Sequence, residues 1–233
     1  MTGSGSCDKR GLIVAIDGPS GAGKSTVTKQ LAERLGYVHL DTGAMYRVVA
    51  LLTSRAKIDP ADAAAVATIC GSLDIEFQRR DGTMRVLANG EDVTGDIRSP
   101  EISLLTSQVA ALPEVRSCLV AMQRRMARTG GVVLEGRDIG TVVFPDAEAK
   151  FFLTASAAER GKRRFNELQA KGVPVTLEQT IDEVIRRDRQ DSERDHAPLR
   201  RADDAVEIDS TSMAPAAVVD LLEQLVREKE RQS

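Results

Sequence analysis

The sequence has no tryptophan, and its two tyrosines and five phenylalanines hold aromatics to 3% of 233 residues. Stacking of bases on aromatic rings is therefore a poor candidate for its main mode of binding. Cysteines are few. Cys7, Cys70 and Cys118 are far apart and odd in number, which argues against a disulfide framework and against zinc. The two histidines, His39 and His196, add no metal-binding cluster. No run of about 18 apolar residues is present, so no membrane-spanning helix is expected. The first eleven residues, MTGSGSCDKRG, lack the apolar stretch of a signal peptide and read as the flexible N-terminus of a cytoplasmic protein. An excess of basic charge is missing as well. The 32 basic and 35 acidic residues leave a net charge of −3, which speaks against a general nucleic-acid binder.

What is present is ordinary globular material: 42% hydrophobic and 29% charged residues. The length suits one large domain, or one domain with an insertion. Leu12–Asp17 (LIVAID) is a short apolar run that reads as a buried parallel strand. Val27, Leu31 and Leu35 then fall four apart, the stripe of a helix over Lys24–Leu35 that Gly36 stops. Tyr37–Leu40 predicts a second strand. Thr42–Arg55 predicts a helix with Met45, Val48, Val49 and Leu52 on one face. Strand, helix, strand, helix at this spacing is an α/β signature.

The pattern then changes. An alanine-rich helix is expected over Pro60–Cys70 with Asp59 as its cap. Leu73–Gln78 alternates as a half-buried strand does, and Asp81-Gly82 turns it back through Met84–Ala88 to a second turn at Asn89-Gly90. Residues 60–100 thus read as a small antiparallel sheet inserted into the α/β frame. Pro100 and Pro113 stand at helix starts. The frame resumes with strands at Val132–Glu135, Lys150–Leu153 and Ala205–Asp209. Between the last two lie polar, arginine-rich helices at Ser156–Lys171 and Thr176–Asp191. A C-terminal helix carries Val218, Leu221, Leu222 and Leu225. The expected fold class is α/β, a three-layer sandwich on a central parallel sheet of about five strands.

Gly18-Pro-Ser-Gly-Ala-Gly-Lys24-Ser25 matches the phosphate-loop pattern in full, between a strand and a helix. Glycines let backbone amides turn inward around phosphate oxygens, and the helix start adds its positive dipole end. Lys24 can reach the β- and γ-phosphates, and the Ser25 hydroxyl can hold Mg²⁺. This predicts binding of a nucleoside triphosphate but leaves the second substrate open.

Three further segments bear on that substrate. Asp41-Thr42-Gly43-Ala44-Met45-Tyr46-Arg47 lies at a strand end, where ligands sit in open α/β sheets. Arg47 is either a phosphate clamp or a solvated residue of a capped helix. Glu135-Gly136-Arg137-Asp138, at the next strand end, reads as a ligand contact rather than a structural ion pair, with Glu135 able to hold Mg²⁺-bound water. Arg160, Lys162, Arg163 and Arg164, then Arg186, Arg187, Arg189 and Arg194, belong to a segment, 156–201, placed where a lid would close on the nucleotide. The lid is preferred over a solvated, salt-bridged face, although not every arginine in it can be functional.

Together the stretches IDGPSGAGKS, DTGAMYR, SQVAALPEVR, EGRDIGTVVFPDA and RRDRQDSER resemble bacterial cytidylate kinase, a nucleoside monophosphate kinase of the P-loop class. The resemblance runs from about Leu12 to the C-terminal helix. It implies a P-loop kinase core at 12–59, 101–155 and 202–233, with 60–100 as the monophosphate-binding insertion and 156–201 as the lid. It implies transfer of the γ-phosphoryl group of ATP to CMP or dCMP, with Mg²⁺. ATP would be bound by Gly18, Pro19, Ser20, Gly21, Ala22, Gly23, Lys24, Ser25 and Thr26, with Arg163 from the lid. Ser20, Arg47 and Arg137 would contact the CMP phosphate, with Thr42 beside them. Ser107, Arg116 and Asp138 would read the cytosine. Arg187 and Asp191 would hold the sugar, and Arg194 would lie near the transferred phosphate. Lys24, Arg137, Arg163 and Arg194 would be catalytic. Many relatives have glycine where Ser25 stands and serine where Thr42 stands.

These roles agree with the chemistry. Cytosine presents an amine donor that a carboxylate such as Asp138 can accept, whereas uracil would leave it unpaired. No protein base is needed, because the attacking phosphate is already an anion. The competing readings are a kinase of UMP, AMP or shikimate, and a P-loop switch or nucleic-acid-dependent ATPase. Expected partners are small molecules only, with no nucleic acid or membrane, and a monomer is expected.

Overall fold

The computed structural model describes residues 11–80 and 83–232. The expected flexible segment up to residue 10, Cys7 within it, and the expected turn at Asp81-Gly82 lie outside the described residues.

The first strand, β1 (Ile13–Asp17), is buried along its whole length. Period-two alternation sends its side chains to two different cores. Val14 and Ile16 face a cluster with Val27 and Leu31, while Ile13 and Ala15 face one with Leu134 and Ile139. A strand buried on both faces has a packed layer on each side, and pairing with a strand on either edge makes β1 the middle strand of five.

Helix α1 (Lys24–Leu35) follows the phosphate loop and stops at Gly36 in the left-handed conformation. Then come β2 (Val38–Asp41) and α2 (Thr42–Arg55), capped by Asp41, whose carboxylate accepts from the Ala44 amide. Helix α3 spans Ala63–Gly71. Its cap is Asp62, not the expected Asp59. Asp59 instead closes the preceding turn, accepting from the Ala61 and Asp62 amides, so the helix starts three residues later. Strands β3 (Ile75–Arg80), β4 (Thr83–Ala88) and β5 (Glu91–Asp92) form a separate antiparallel sheet. β3 begins two residues beyond the expected Leu73, which is held in a turn by the Cys70 carbonyl. Asn89 and Gly90 both adopt positive φ between β4 and β5, as a tight hairpin requires.

Pro100 and Pro113 open α4 (Pro100–Val109) and α5 (Pro113–Met126). One apolar cluster joins α2 to α5 with β3 and β4, from Met45 through Ile75 and Val86 to Leu119. β6 (Val132–Gly136) returns the chain to the main sheet and leads into a single π-helical turn at Ile139–Val143. β7 (Ala149–Thr154), α6 (Ala157–Ala170), α7 (Leu177–Glu193), β8 (Val206–Asp209) and α8 (Pro215–Gln232) complete the chain. The main sheet is entirely parallel, in the order β2-β6-β1-β7-β8. α1 and α8 cover one face, and the π-turn with the end of α5 packs on the other. The expected three-layer α/β sandwich with five parallel strands is what is observed.

Candidate active site

Parallel strands end together, so the loops after β1, β2 and β6 meet at one edge. A cleft of about 1120 Å³ opens there. Single small-molecule sites occupy roughly 300–1,000 Å³, so this cleft has room for more than one ligand. Of the residues expected to bind ATP, CMP or metal, all but Gly18 and Pro19 line it, whereas Arg160, Lys162, Arg186 and Arg189 of the arginine-rich segment do not.

Gly18 cannot carry a side chain. Its φ is +149°, and a Cβ would stand 2.0 Å from the Leu153 carbonyl oxygen. The loop therefore presses against β7. Lys24 is buried and donates to the Gly18 and Pro19 carbonyls, both at 2.7 Å. Burial, then the charge of Arg137, holds its ammonium well below the ordinary lysine range. Arg163 reaches from α6 to the same loop, donating to the Ala22 carbonyl at 3.4 Å and to the Ser210 carbonyl at 2.8 Å.

Ser25, at the start of α1, donates to Glu135 Oε2 at 2.7 Å. A hydroxyl whose proton is committed to a carboxylate turns its lone pairs outward, the arrangement in which it can ligate a hard cation. Among the described residues no group of three or more His, Cys, Asp or Glu could hold a metal on its own. One hydroxyl with one carboxylate suits Mg²⁺, which is usually bound through one or two carboxylates together with substrate phosphates and water.

The opposite wall is rich in guanidinium groups. Arg47, on α2, pairs with the Asp41 cap at 2.7 Å. Arg137 donates through Nε to Asp191 on α7 at 2.8 Å. Burial alone would raise the Asp191 carboxyl, but Arg137, with Arg187 and Arg194, holds it below the usual range. Arg187 and Arg194 are themselves pushed below the usual arginine range, first by burial and next by Arg137 and Arg116 respectively. Arg47 Nε, Arg187 Nε and Arg194 Nη2 are buried donors with no partner among the described residues. Unpaired donors in a cluster of crowded cations make a site that an anion would relieve.

Arg116 on α5 is locked to Asp138 Oδ2, and both residues are buried. The Arg116 guanidinium also lies 5.6 Å from the centre of the Tyr46 ring. Ser107, on α4, lines the same end of the cleft and is exposed. The Thr42 hydroxyl donates to the Glu135 carbonyl at 2.6 Å, tying α2 to β6.

Three parts of this site carry no distinct signal in the sequence. Asp17, at the end of β1, accepts from the Ile139 and Gly140 amides at 2.8 and 2.7 Å and so fixes the turn behind Asp138. Arg160 is buried and pairs through two nitrogens with Asp188, while a third contact at 3.0 Å reaches the Ser20 carbonyl. It joins the α6–α7 hairpin to the phosphate loop. His39, whose sequence context suggests nothing, lies behind Glu135. A charged residue closing a buried strand was the available hint for Asp17. Arg160 is indistinguishable in sequence from the arginines around it.

Comparison with known proteins follows the same ground. A family model for cytidylate kinase matches residues 14–228. A cytidylate kinase of Geobacter sulfurreducens is 64% identical over 223 residues, 96% of each chain. One of Caldicellulosiruptor bescii is 52% identical over 203 residues, 87% of this chain and 90% of the relative. Among solved structures, an uncharacterized protein of Eubacterium ventriosum covers 93% of this chain and 98% of its own, with a TM-score of 0.52 at 12% identity, a likeness of fold alone. The sequence matches run through both walls of the cleft, from the phosphate loop to the arginines of α7, and the chain belongs to the cytidylate kinase family.

Proposed function

We infer that the chain is an ATP-dependent cytidylate kinase, transferring the γ-phosphoryl group of ATP to CMP or dCMP to give ADP and CDP or dCDP. The observation that carries the reading is the set of three buried, unpaired arginine donors facing the same cleft as a complete phosphate loop. One wall suits the phosphates of ATP, and the other is built for a second anion.

On this reading the Gly18–Thr26 stretch cradles the ATP phosphates and Lys24 follows charge onto the transferring group. Arg163 holds the loop from the lid side. Ser20, Thr42, Arg47 and Arg137 receive the CMP phosphate. Arg187 and Asp191 take the sugar, and Arg194 turns its free donor to the transferred phosphate. One phosphate oxygen of CMP forms a bond to the γ-phosphorus as the bond from that phosphorus to the bridging oxygen of ADP breaks. The transition state is loose, so catalysis is mostly positioning and charge stabilisation, and the chain's cations supply both. Segment 60–100 is assigned to the monophosphate-binding insertion and 156–201 to the lid.

Ser25 and Glu135 are the residues that would hold Mg²⁺. When bound, the ion neutralises charge on the phosphate oxygens. Base recognition falls to Asp138 and Arg116, with Ser107. Arg116 engages Asp138 Oδ2, which leaves Oδ1 available to the cytosine amine. The reading makes the enzyme a monomer that works in the cytoplasm on small-molecule substrates.

A coupled assay with ATP and each of CMP, dCMP, UMP, AMP and shikimate tests the reading. CMP and dCMP should be the efficient acceptors. Preference for any other acceptor, or ATP hydrolysis that depends on added DNA or RNA, would overturn it.

A further inference from the structure

Glu135 stands at the end of β6 with its two carboxylate oxygens in different surroundings. Oε2 meets the Ser25 hydroxyl at 2.7 Å. Oε1 points away from the phosphate loop, into a small polar cluster made by His39 on β2 and Thr28 on α1. His39 Nε2 lies 3.0 Å from Oε1 and 3.1 Å from the Thr28 hydroxyl, and Thr28 is 3.3 Å from Oε1.

The protons in this cluster can be assigned. An ionised carboxylate only accepts, so His39 Nε2 must carry the hydrogen. Thr28 has one hydroxyl proton, and its shortest acceptor is the Lys24 carbonyl at 2.8 Å. Glu135 Oε1 is therefore held by the imidazole N–H, and the threonine oxygen helps to hold the ring. The Glu135 main chain is fixed separately by the Thr42 hydroxyl. With backbone and one oxygen restrained, the remaining torsional freedom of the carboxylate is small, and Oε2 faces Ser25.

We propose that His39 is a positioning residue for the metal: its Nε2–H pins the rear oxygen of Glu135, so that the front oxygen keeps the Ser25 hydroxyl oriented to ligate the ion. The inference rests on the assignment of Ser25 and Glu135 to Mg²⁺ made above. It accounts for a polar side chain, only 12% exposed, on a strand whose next residue, Leu40, is buried in the core. Loss of a partner that orients a metal-binding carboxylate typically weakens metal binding by about 10- to 100-fold.

The test is an electron-paramagnetic-resonance titration of Mn²⁺ into the full-length enzyme with a non-hydrolysable ATP analogue, run beside steady-state kinetics. In His39→Asn the amide falls short of Glu135. Mn²⁺ affinity should drop about tenfold, with the KM for CMP little changed and the melting temperature retained. In His39→Gln an N–H returns to the place of Nε2, and affinity should recover to within about threefold of the parent. His39→Leu gives a second donor-free variant if His39→Asn does not fold. Glu135→Gln separates the two levels of the argument. If Glu135→Gln leaves Mn²⁺ affinity unchanged, the metal assignment falls and the His39 proposal falls with it. If Glu135→Gln weakens binding but the donor-free His39 variants do not, His39 alone is overturned. Failure of His39→Gln to restore affinity would also overturn it, since the effect would then be packing.

Discussion

At the scale of single residues, Asp138 and Asp17 show how burial changes what a substitution reports. Asp138→Ala would strip buried Arg116 of its partner and cost roughly 3–5 kcal/mol of stability, hiding any effect on the base. Asp138→Asn keeps the shape but brings an amide that can donate to the uracil carbonyl. It should stay folded and lower the CMP-over-UMP ratio of kcat/KM by about 10- to 150-fold, with little change in the KM for ATP. A preserved ratio would move base reading to Ser107 and Arg116. Asp17 is pushed up to about 6, chiefly by burial, against the opposing Gly140 and Ile139 amides. The folded protein thus binds this proton more tightly than the unfolded chain. The associated stability is complete below about pH 3.8 and is lost as pH rises through about 6, on the order of 3 kcal/mol in all. Carboxyl ¹³C NMR should show Asp17 titrating near pH 6. A midpoint near 3.8 would mean that the amides and Lys24 fully offset burial. Lys24 and Ser25 were legible in the sequence because their motif is contiguous. The Arg116–Asp138 pair was not legible as a pair, since its partners lie 22 residues apart and only the fold brings them together.

At the scale of elements, local signals fixed what local interactions decide. The bounds of α1 and α2 could be read from Gly36 and from Asp41 because cap and helix are adjacent. The start of α3 could not, because Asp59 and Asp62 are equally good caps and the turn between them chooses. The π-turn after β6 left no trace in the sequence. Its amides are held by Asp17, more than 120 residues earlier, and its last carbonyls by Arg124 on α5. The α6–α7 hairpin depends on one small residue. A Cβ on Gly161 would lie 2.4 Å from Ile181 Cγ1 and 2.8 Å from the Ile181 Cα, so backbone as well as side chain would have to move. Gly161→Ala should therefore cost about 1–3 kcal/mol by overpacking. Hydrogen exchange should quicken across α6 and α7 and stay unchanged in the main sheet. Unaltered exchange in both helices would show that the hairpin tolerates the separation.

At the scale of the whole molecule, the α6–α7 hairpin is tied to the rest of the cleft by Arg160 to Ser20, Arg163 to Ala22 and Ser210, and Asp191 to Arg137. Hydrogen exchange in α6 and α7 should slow most when an ATP analogue and CMP are bound together, and less with either alone. Equal protection in all states would remove the lid. The main sheet has one more consequence, for crowded solutions. Its rims, β2 and β8, are four residues long, about 13 Å each. Val38 and Val206 are 52% and 45% exposed on them, so each rim shows one valine to solvent. Their shortness is the safeguard: β2 runs straight into α2, and β8 carries exposed Glu207 and Asp209. A strand from another copy would find only a brief, partly charged ladder to pair with, which disfavours edge-to-edge stacking and fibre growth.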